Sequence, residues 1–313
     1  MRKILILSLL PVLLLLLTVA PALAATLKVG PGQLYTKIED AITAANGGDT
    51  ILVMAGTYNT PGGAYWVGKS LIIKGQKGAD KTIIDTGAND GFRVIADNVT
   101  ISGFTVRPGY GALPGGGVAG ISIGTQAPGS GITGVKIQNC IIEFYGINIA
   151  ILNAQGTVLS NNDIRYAYAE GGGAGLGIKM FTYDFSPNDG VADYNILNTI
   201  ITKNRIYENG QQGIIIVNSA AASYEGTQIM ANTFYNNGSQ DDQNPPYNLN
   251  SMAITIYSTT GTIKVQNNKF LVLANGDSPI DEVSTNPVVV RGGNKTYPKL
   301  KGTLGSGSAS IDP

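Results

Sequence analysis

The sequence of 313 residues contains no histidine. That excludes an imidazole base, an imidazole metal ligand and any nucleophile activated by histidine. It contains one cysteine, Cys140, which excludes an internal disulfide framework and a cysteine-based structural zinc site. Charge is scarce: Asp, Glu, Lys and Arg make up 13% of the chain, against about 25% in ordinary domains. The basic and acidic residues balance at 21 each, so no basic excess points to a nucleic-acid partner. What is present is apolar and small. Hydrophobic residues reach 43%, too many for a charge-driven disordered chain. The 42 glycines have no period of three, which excludes collagen.

Residues 1–25 read as a secretory signal peptide. Arg2 and Lys3 precede an apolar run from Ile4 to Val19, and Ala22-Leu23-Ala24 offers small residues at the alternate positions a signal peptidase reads. Cleavage there removes two bases and no acid, leaving a slightly negative mature chain. No later segment has the ~18 continuous apolar residues of a membrane span. The expected location is therefore secreted, extracellular or cell-surface, with the periplasm as a variant.

After a helix expected near 34–45, from Leu34, Ile38, Ala41, Ile42 and Ala45 at helical spacing, the chain becomes short apolar strands separated by Gly, Asn and Asp turns. Six segments share one pattern, apolar-x-x-X-x-apolar, with X at Phe104, Cys140, Asn162, Asn204, Asn232 and Asn268. A second column follows the first five: Gly120-Ile121, Gly146-Ile147, Gly177-Ile178, Gly213-Ile214 and Ala253-Ile254. Simple alternation turns these isoleucines inward and Ser122, Asn148, Lys179, Ile215 and Thr255 outward. Two columns recurring in phase, with a shortest repeat of 22 residues between 140 and 162, predict an all-β, single-stranded parallel β-helix. Stacked coils bury like over like. An inward Asn at each turn can bond the turn backbone and the Asn of the next coil, so Asn162, Asn204, Asn232 and Asn268 form a candidate structural ladder.

The columns, together with the opening Gln33 to Tyr58 and its run GDTILVMAGTY, resemble the right-handed parallel β-helix superfamily typified by pectate lyases. The pattern is most similar to the loosely defined repeat group that includes surface proteins and the periplasmic maturation factor of nitrous oxide reductase. The resemblance implies right-handed coils over a β-helix domain at 26–299, with an N-terminal helical cap and a Gly/Ser-rich tail at 300–313. It implies no single activity, because many share the scaffold. The chain departs from the pectate-cleaving enzymes of that superfamily. It lacks the histidine motif of the hydrolases and the Trp-Ile-Asp-His run of the lyases; Trp66 stands instead in Ala64-Tyr65-Trp66-Val67.

Insertions at 107–119, 165–176 and 236–251, and at 124–133 and 181–199, fall in two coil phases and are expected to flank one sheet as a groove. Tyr110, Tyr166, Tyr168, Tyr183, Tyr194 and Tyr247 in or beside them are candidate sugar-binding rings, since tyrosine offers a flat apolar face and a hydroxyl. Asp184, Asn188, Asp189 and Asp193 supply the hard oxygens that Ca²⁺ prefers. Lys179, Lys203 and Arg205 are candidate bases or carboxylate partners; Arg205 also shares a coil position with Asp163 and is placed for an ion pair. The expected function is polysaccharide binding through the loop-flanked groove. One alternative is a Ca²⁺-assisted lyase acting on uronate-containing glycans, with Lys179 as base. Another is self-association into a surface or matrix structure.

Overall fold

The computed structural model describes residues 23–60, 62–109, 112, 117–124, 131–168, 174–182, 195–217, 223–238, 253–257, 260–271, 279–282 and 288–297. Residues 1–22 of the expected signal peptide and the tail expected from 300 lie outside them. Among the described residues the chain winds into parallel coils that build three long sheets of ten, nine and eight strands. Each coil contributes in turn to the ten-, the nine- and the eight-stranded sheet. The open first coil is covered by one helix, α1 (Ile38–Ala44), which buries Ile38, Ala41 and Ile42.

The helix is shorter than the spacing of apolar residues indicates. Leu34 is 87% exposed and precedes the helix, because Tyr35 forms a parallel bridge with Val29 and Lys37 stays extended. The basic group that complements the helix C-terminus comes from a distant part of the chain. Lys69 Nζ donates to the carbonyls of Ile42, Thr43 and Ala45 at 3.2, 2.8 and 2.7 Å, satisfying groups that the last turn leaves open.

The interior is three files of apolar side chains. Ile51, Ile73, Ile101, Ile137, Leu159, Ile201, Ile229 and Val265 stand in register across the ten-stranded sheet. The nine-stranded sheet adds a file ending in Phe234 and Phe270, stacked at 5.1 Å. The corner between these sheets is polar and fully satisfied. Asn162, Asn204, Asn232 and Asn268 are buried there. Each Oδ1 from Asn204 onward accepts both the backbone N–H and the Nδ2 of the ladder residue before it, at 2.9–3.1 Å across the file, and Asn294 extends the run. At the early end Cys140 N–H donates to Asn162 Oδ1 at 2.9 Å. Its thiol is pushed up to about 11 by burial, so it packs there as an unreactive apolar group. The residue before each ladder position takes a left-handed conformation: Asn139, Asn161, Lys203, Ala231 and Asn267 all have φ of 54–57°.

A second amide run lies at the corner between the nine- and eight-stranded sheets. Asn148 Nδ2 donates to Asn209 Oδ1 at 3.1 Å, and Asn209 Nδ2 to Asn237 Oδ1 at 2.8 Å. Here simple alternation fails. Asn148, expected outward, is fully buried, and Ile147, expected inward, packs on the outer side with Ala119, Ala150, Leu176 and Ile215. The inner partner of Ile121 and Ile178 is Ile149. The bend at this corner turns two successive residues inward. Glycine recurs at the first of them for space: a Cβ at Gly120 would lie 2.6 Å from Ile142, and one at Gly177 would lie 2.9 Å from Asn209 Nδ2.

Asn204 donates to Leu159 O and Asn232 Oδ1 and accepts from the Asn162 amides. Asn204→Ala orphans all of these in a dry interior. It is expected to lower stability by roughly 3 kcal/mol, read as a shift of the denaturant midpoint; Asn267→Ala, at an exposed turn, is expected to cost about 1 kcal/mol.

Candidate functional site

The three basic candidates do not form one cluster. Lys179 is on the outer face of the eight-stranded sheet, in register with Ala150 and Ile215. Lys203 is exposed in the turn after strand Ile200–Thr202 of the ten-stranded sheet. Arg205 is on the nine-stranded sheet and makes a two-pronged ion pair with Asp163 of the neighbouring coil. That hydrogen bond is the main reason its guanidinium is held above its usual pKa.

The eight-stranded sheet lies between the two families of insertions, as their coil phases indicate. Its outer face is not an open floor. Ala119, Ile147, Ala150, Leu176 and Ile215 form a buried cluster there, with Phe181 and Val217 against it. Lys179 rises from this apolar ground with Nζ 4.6 Å from the Phe181 ring centre. Desolvation pulls its pKa below the ordinary lysine value. At the first coils the face opens, with Trp66 54% exposed beneath the guanidinium of Arg93 at 5.0 Å. Arg93 is itself tied to Asp90 at 2.8 Å.

Of the six candidate tyrosines, Tyr110, Tyr183, Tyr194 and Tyr247 lie outside the described residues, as do the Ca²⁺ candidates Asp184, Asn188, Asp189 and Asp193. Among the described residues no group of three or more Cys, Asp or Glu side chains is placed to hold a metal ion. Tyr168 is partly buried in the turn entering the eight-stranded sheet, where its backbone bonds Tyr145 and Gly175.

Tyr166 belongs to an arrangement that the sequence pattern does not single out. It stacks on Phe144 with centroids 5.3 Å apart and planes 13° from parallel. Its other side meets the edge of Tyr207 at 5.9 Å, and Tyr207 stacks on Tyr235 at 5.3 Å. The four rings come from four successive coils and make a file about 14 Å long at the strand spacing. It stands on the outer edge of the nine-stranded sheet, directly over the second amide run. Arg165 links its parts: Nε donates to Glu143 at 2.7 Å, Nη1 donates to Tyr207 Oη at 2.8 Å, and the guanidinium lies 5.3 Å from the Tyr166 ring centre. Burial disfavours the Arg165 charge, yet the bonds to Tyr207 and Glu143 outweigh it and raise the pKa. Tyr235 Oη donates to Glu208, and burial together with that bond pushes the phenol up.

Backbone conformation makes this shelf unusual. Phe144, Tyr166 and Glu208 have φ of 65, 55 and 53° in the same turn register, where the next coil uses Asn236 at 48°. A left-handed aromatic costs about 1–2 kcal/mol more than the Gly or Asn that suits the turn. Phe144 is also 44% exposed, so burial does not explain the choice. Phe144 and Tyr166 thus hold their rings at a cost in backbone conformation, and Phe144 does so while turned to solvent.

A family model described as right handed beta helix region matches residues 79–287. A search of curated proteins found no match. Among solved structures, the fold is similar to an alginate lyase from a Paenibacillus species, with 16% identity, 87% of this chain and 95% of that chain covered, and a TM-score of 0.52. It is similar to pectate lyase Pel9A, with 14% identity, 91% and 82% coverage and a TM-score of 0.54. It is similar also to the pectin methylesterase of Aspergillus niger, with 14% identity, 94% and 93% coverage and a TM-score of 0.51. At these identities the likeness establishes the fold. Among the described residues no helix is long and apolar enough to cross a membrane.

The apolar setting of Lys179 has a measurable consequence. Its folded pKa lies below its unfolded one, so the unfolded state binds more protons in the alkaline range and stability rises with pH there. Lys179→Met is expected to raise the unfolding midpoint at neutral pH, with the gain shrinking as pH approaches that of free lysine.

Proposed function

We propose, from the premise that this chain belongs to the right-handed β-helix family, that it is an exported protein that binds an extracellular polysaccharide. The observation that carries this reading is the Phe144–Tyr166–Tyr207–Tyr235 file. Its rings are stacked along the coil axis, so a linear chain can lie across several of them. The stacked ring faces cover one another along the file, so a sugar chain lying on it would pack its C–H groups on the apolar ring edges, and the hydroxyls of Tyr166 and Tyr207 can exchange hydrogen bonds with sugar hydroxyls. The shelf lies at the foot of the insertions 165–176 and 236–251, along one rim of the loop-flanked sheet. Its charges are paired internally, Glu143 with Arg165 and Asp163 with Arg205. Binding there is therefore expected to depend on apolar ring contact more than on ionic attraction. The fold relatives are named for alginate, pectate and pectin, which is in keeping with a carbohydrate partner.

Phe144→Asn and Tyr166→Asn test the reading without disturbing the turn, because asparagine suits the left-handed conformation. Each is expected to weaken the best ligand from a glycan array by about tenfold, close to one stacked ring, with the thermal midpoint unchanged or raised. Undiminished affinity in the double variant would remove the shelf from the function.

A second reading, β-elimination on a uronate glycan, is favoured by the desolvated Lys179. A neutral amine there would take the proton beside the uronate carboxylate. The C–H electron pair would form the double bond, and the departing glycosidic oxygen would carry the bond electrons and take up a proton. Asp184, Asn188, Asp189 and Asp193 follow Lys179 in the chain and remain the proposed Ca²⁺ ligands. Wild-type protein should then generate the ultraviolet absorbance of unsaturated uronates, and Lys179→Ala should not. Absorbance retained in that variant would end Lys179's role as base.

A further inference from the structure

The ten-stranded face carries charge of one sign. Along its outer positions, Lys28, Leu52 and Lys74 are successive partners in one column. Thr100 and Lys136 pair in the other column, as do Gln228 and Lys264. No Asp or Glu occupies either outer column in any of the ten strands; Thr, Ser, Gln and aliphatic residues fill the rest. In the order of the sheet, Lys28, Lys74, Lys136 and Lys264 stand on the first, third, fifth and ninth strands. Lys203 fills the gap, in the turn directly after the seventh. All five are exposed, and among the described residues no carboxylate pairs with any of them. Counted along the coil axis, a lysine thus recurs at every second strand level, a step of about 9.6 Å, over roughly 38 Å, spread across the two columns and one adjoining turn.

Composition does not produce such a strip, since acids and bases are equal in number across the chain. The carboxylates at the entering rim stay outside the two columns and bond backbone amides: Asp49 accepts from Ala25 and Asn46 N–H, each at 2.7 Å, Asp97 from Thr133 N–H at 2.7 Å and Glu225 from Thr262 N–H at 2.6 Å. At physiological salt the Debye length is about 8 Å, so these exposed lysines are largely screened from one another and repel strongly only at low salt. Each lysine is thus left open to a carboxylate of a partner that comes into direct contact with the face.

The geometry selects among anionic partners. Duplex DNA presents a charge about every 1.7 Å along a curved surface, far denser than one lysine per two strands on a flat sheet. Membrane-binding patches cluster their lysines and insert aromatic side chains, and neither outer column holds an aromatic residue. A stretched acidic polysaccharide matches: its carboxylates recur on the scale of one or two sugar units, and the intervening Thr, Ser and Gln side chains can bond its hydroxyls. We propose that the outer face of the ten-stranded sheet docks a linear carboxylate-bearing polysaccharide lying along the coil axis. This surface is separate from the aromatic shelf and adds to the polysaccharide reading an acidic class of ligand.

The test uses the full exported chain with four probes: polymannuronate, the same polymer after carboxyl reduction, duplex DNA and anionic phospholipid vesicles. Polymannuronate binding is expected to weaken steeply as salt rises, and the carboxyl-reduced polymer to lose that salt-sensitive component. The combined variant K28Q/K74Q/K136Q/K264Q is expected to lose at least about tenfold in affinity, as four exposed charge contacts of ordinary strength predict. The corresponding Lys→Arg variant should retain binding, which shows that charge and not folding is read. Phe144→Asn/Tyr166→Asn should leave the salt-sensitive binding intact. Unchanged affinity in the Lys→Gln variant overturns the inference while leaving the shelf reading in place, as does equal or tighter binding of DNA or vesicles. Failure of wild-type protein to bind any glycan overturns both.

Discussion

Everything in this fold depends on keeping coils in register at corners where the backbone turns away from its sheets. A turn that enters the interior leaves N–H and C=O groups with no strand partner, and leaving them dry and unpaired costs more than most contacts return. Asparagine solves this because one side chain has both an acceptor and two donors. In the file from Asn162 to Asn294, each Oδ1 takes the amides of the coil before it, while Nδ2 reaches back to a strand carbonyl such as Leu159 O or Ile201 O. A coil displaced by one residue would break all of these bonds at once. The ladder therefore does more than offset desolvation. It fixes which residues of successive coils face outward together.

Much of this is legible in the sequence, because doublets such as Asn161-Asn162 and Asn267-Asn268 repeat in one phase with the flanking apolar residues. The division of labour inside each doublet is not legible from composition: the first residue takes the left-handed turn and the second enters the ladder. The second run, Asn148, Asn209 and Asn237, is harder to see because it crosses a bend. Alternation is a rule for uninterrupted strands, and at Asn148-Ile149 two neighbours turn inward together. The glycines of the Gly-Ile column carry that information. They stand where a side chain would meet Ile142 or Asn209, so they report a corner, not the start of a straight strand.

The candidate site shows a similar limit. Tyr166 is conspicuous as an aromatic beside an insertion, while Phe144, Tyr207 and Tyr235 lie far apart in the chain and in regular coils. A signal for them exists. Counting from each ladder position, the third residue onward is Glu143, Arg165, Tyr207 and Tyr235, and the fourth is Phe144, Tyr166, Glu208 and Asn236. Read as columns, these offsets yield the whole shelf. Read along the chain, they look like scattered residues. The same counting separates Lys179 from Arg205, which similar chemistry would otherwise group into one catalytic cluster.

A solenoid multiplies local choices into linear patterns, because each outer position is repeated one strand spacing further along the axis. Four aromatic choices become a track of rings, and a lysine in alternate coils becomes a charged strip. Neither pattern needs a concave pocket, and both run parallel to the coil axis. Such surfaces are poorly shaped for a compact small molecule, which must be surrounded to be held. They are well shaped for a polymer, which gains affinity by making modest contacts at many repeats without new binding entropy at each one. The two faces differ in what they can sense. Paired charges at the shelf leave apolar ring contact as the attraction, while the unpaired lysines of the ten-stranded sheet act at longer range and through salt-sensitive forces. A polymer held on both would be captured by charge on one face and fixed in place by ring contacts on the other.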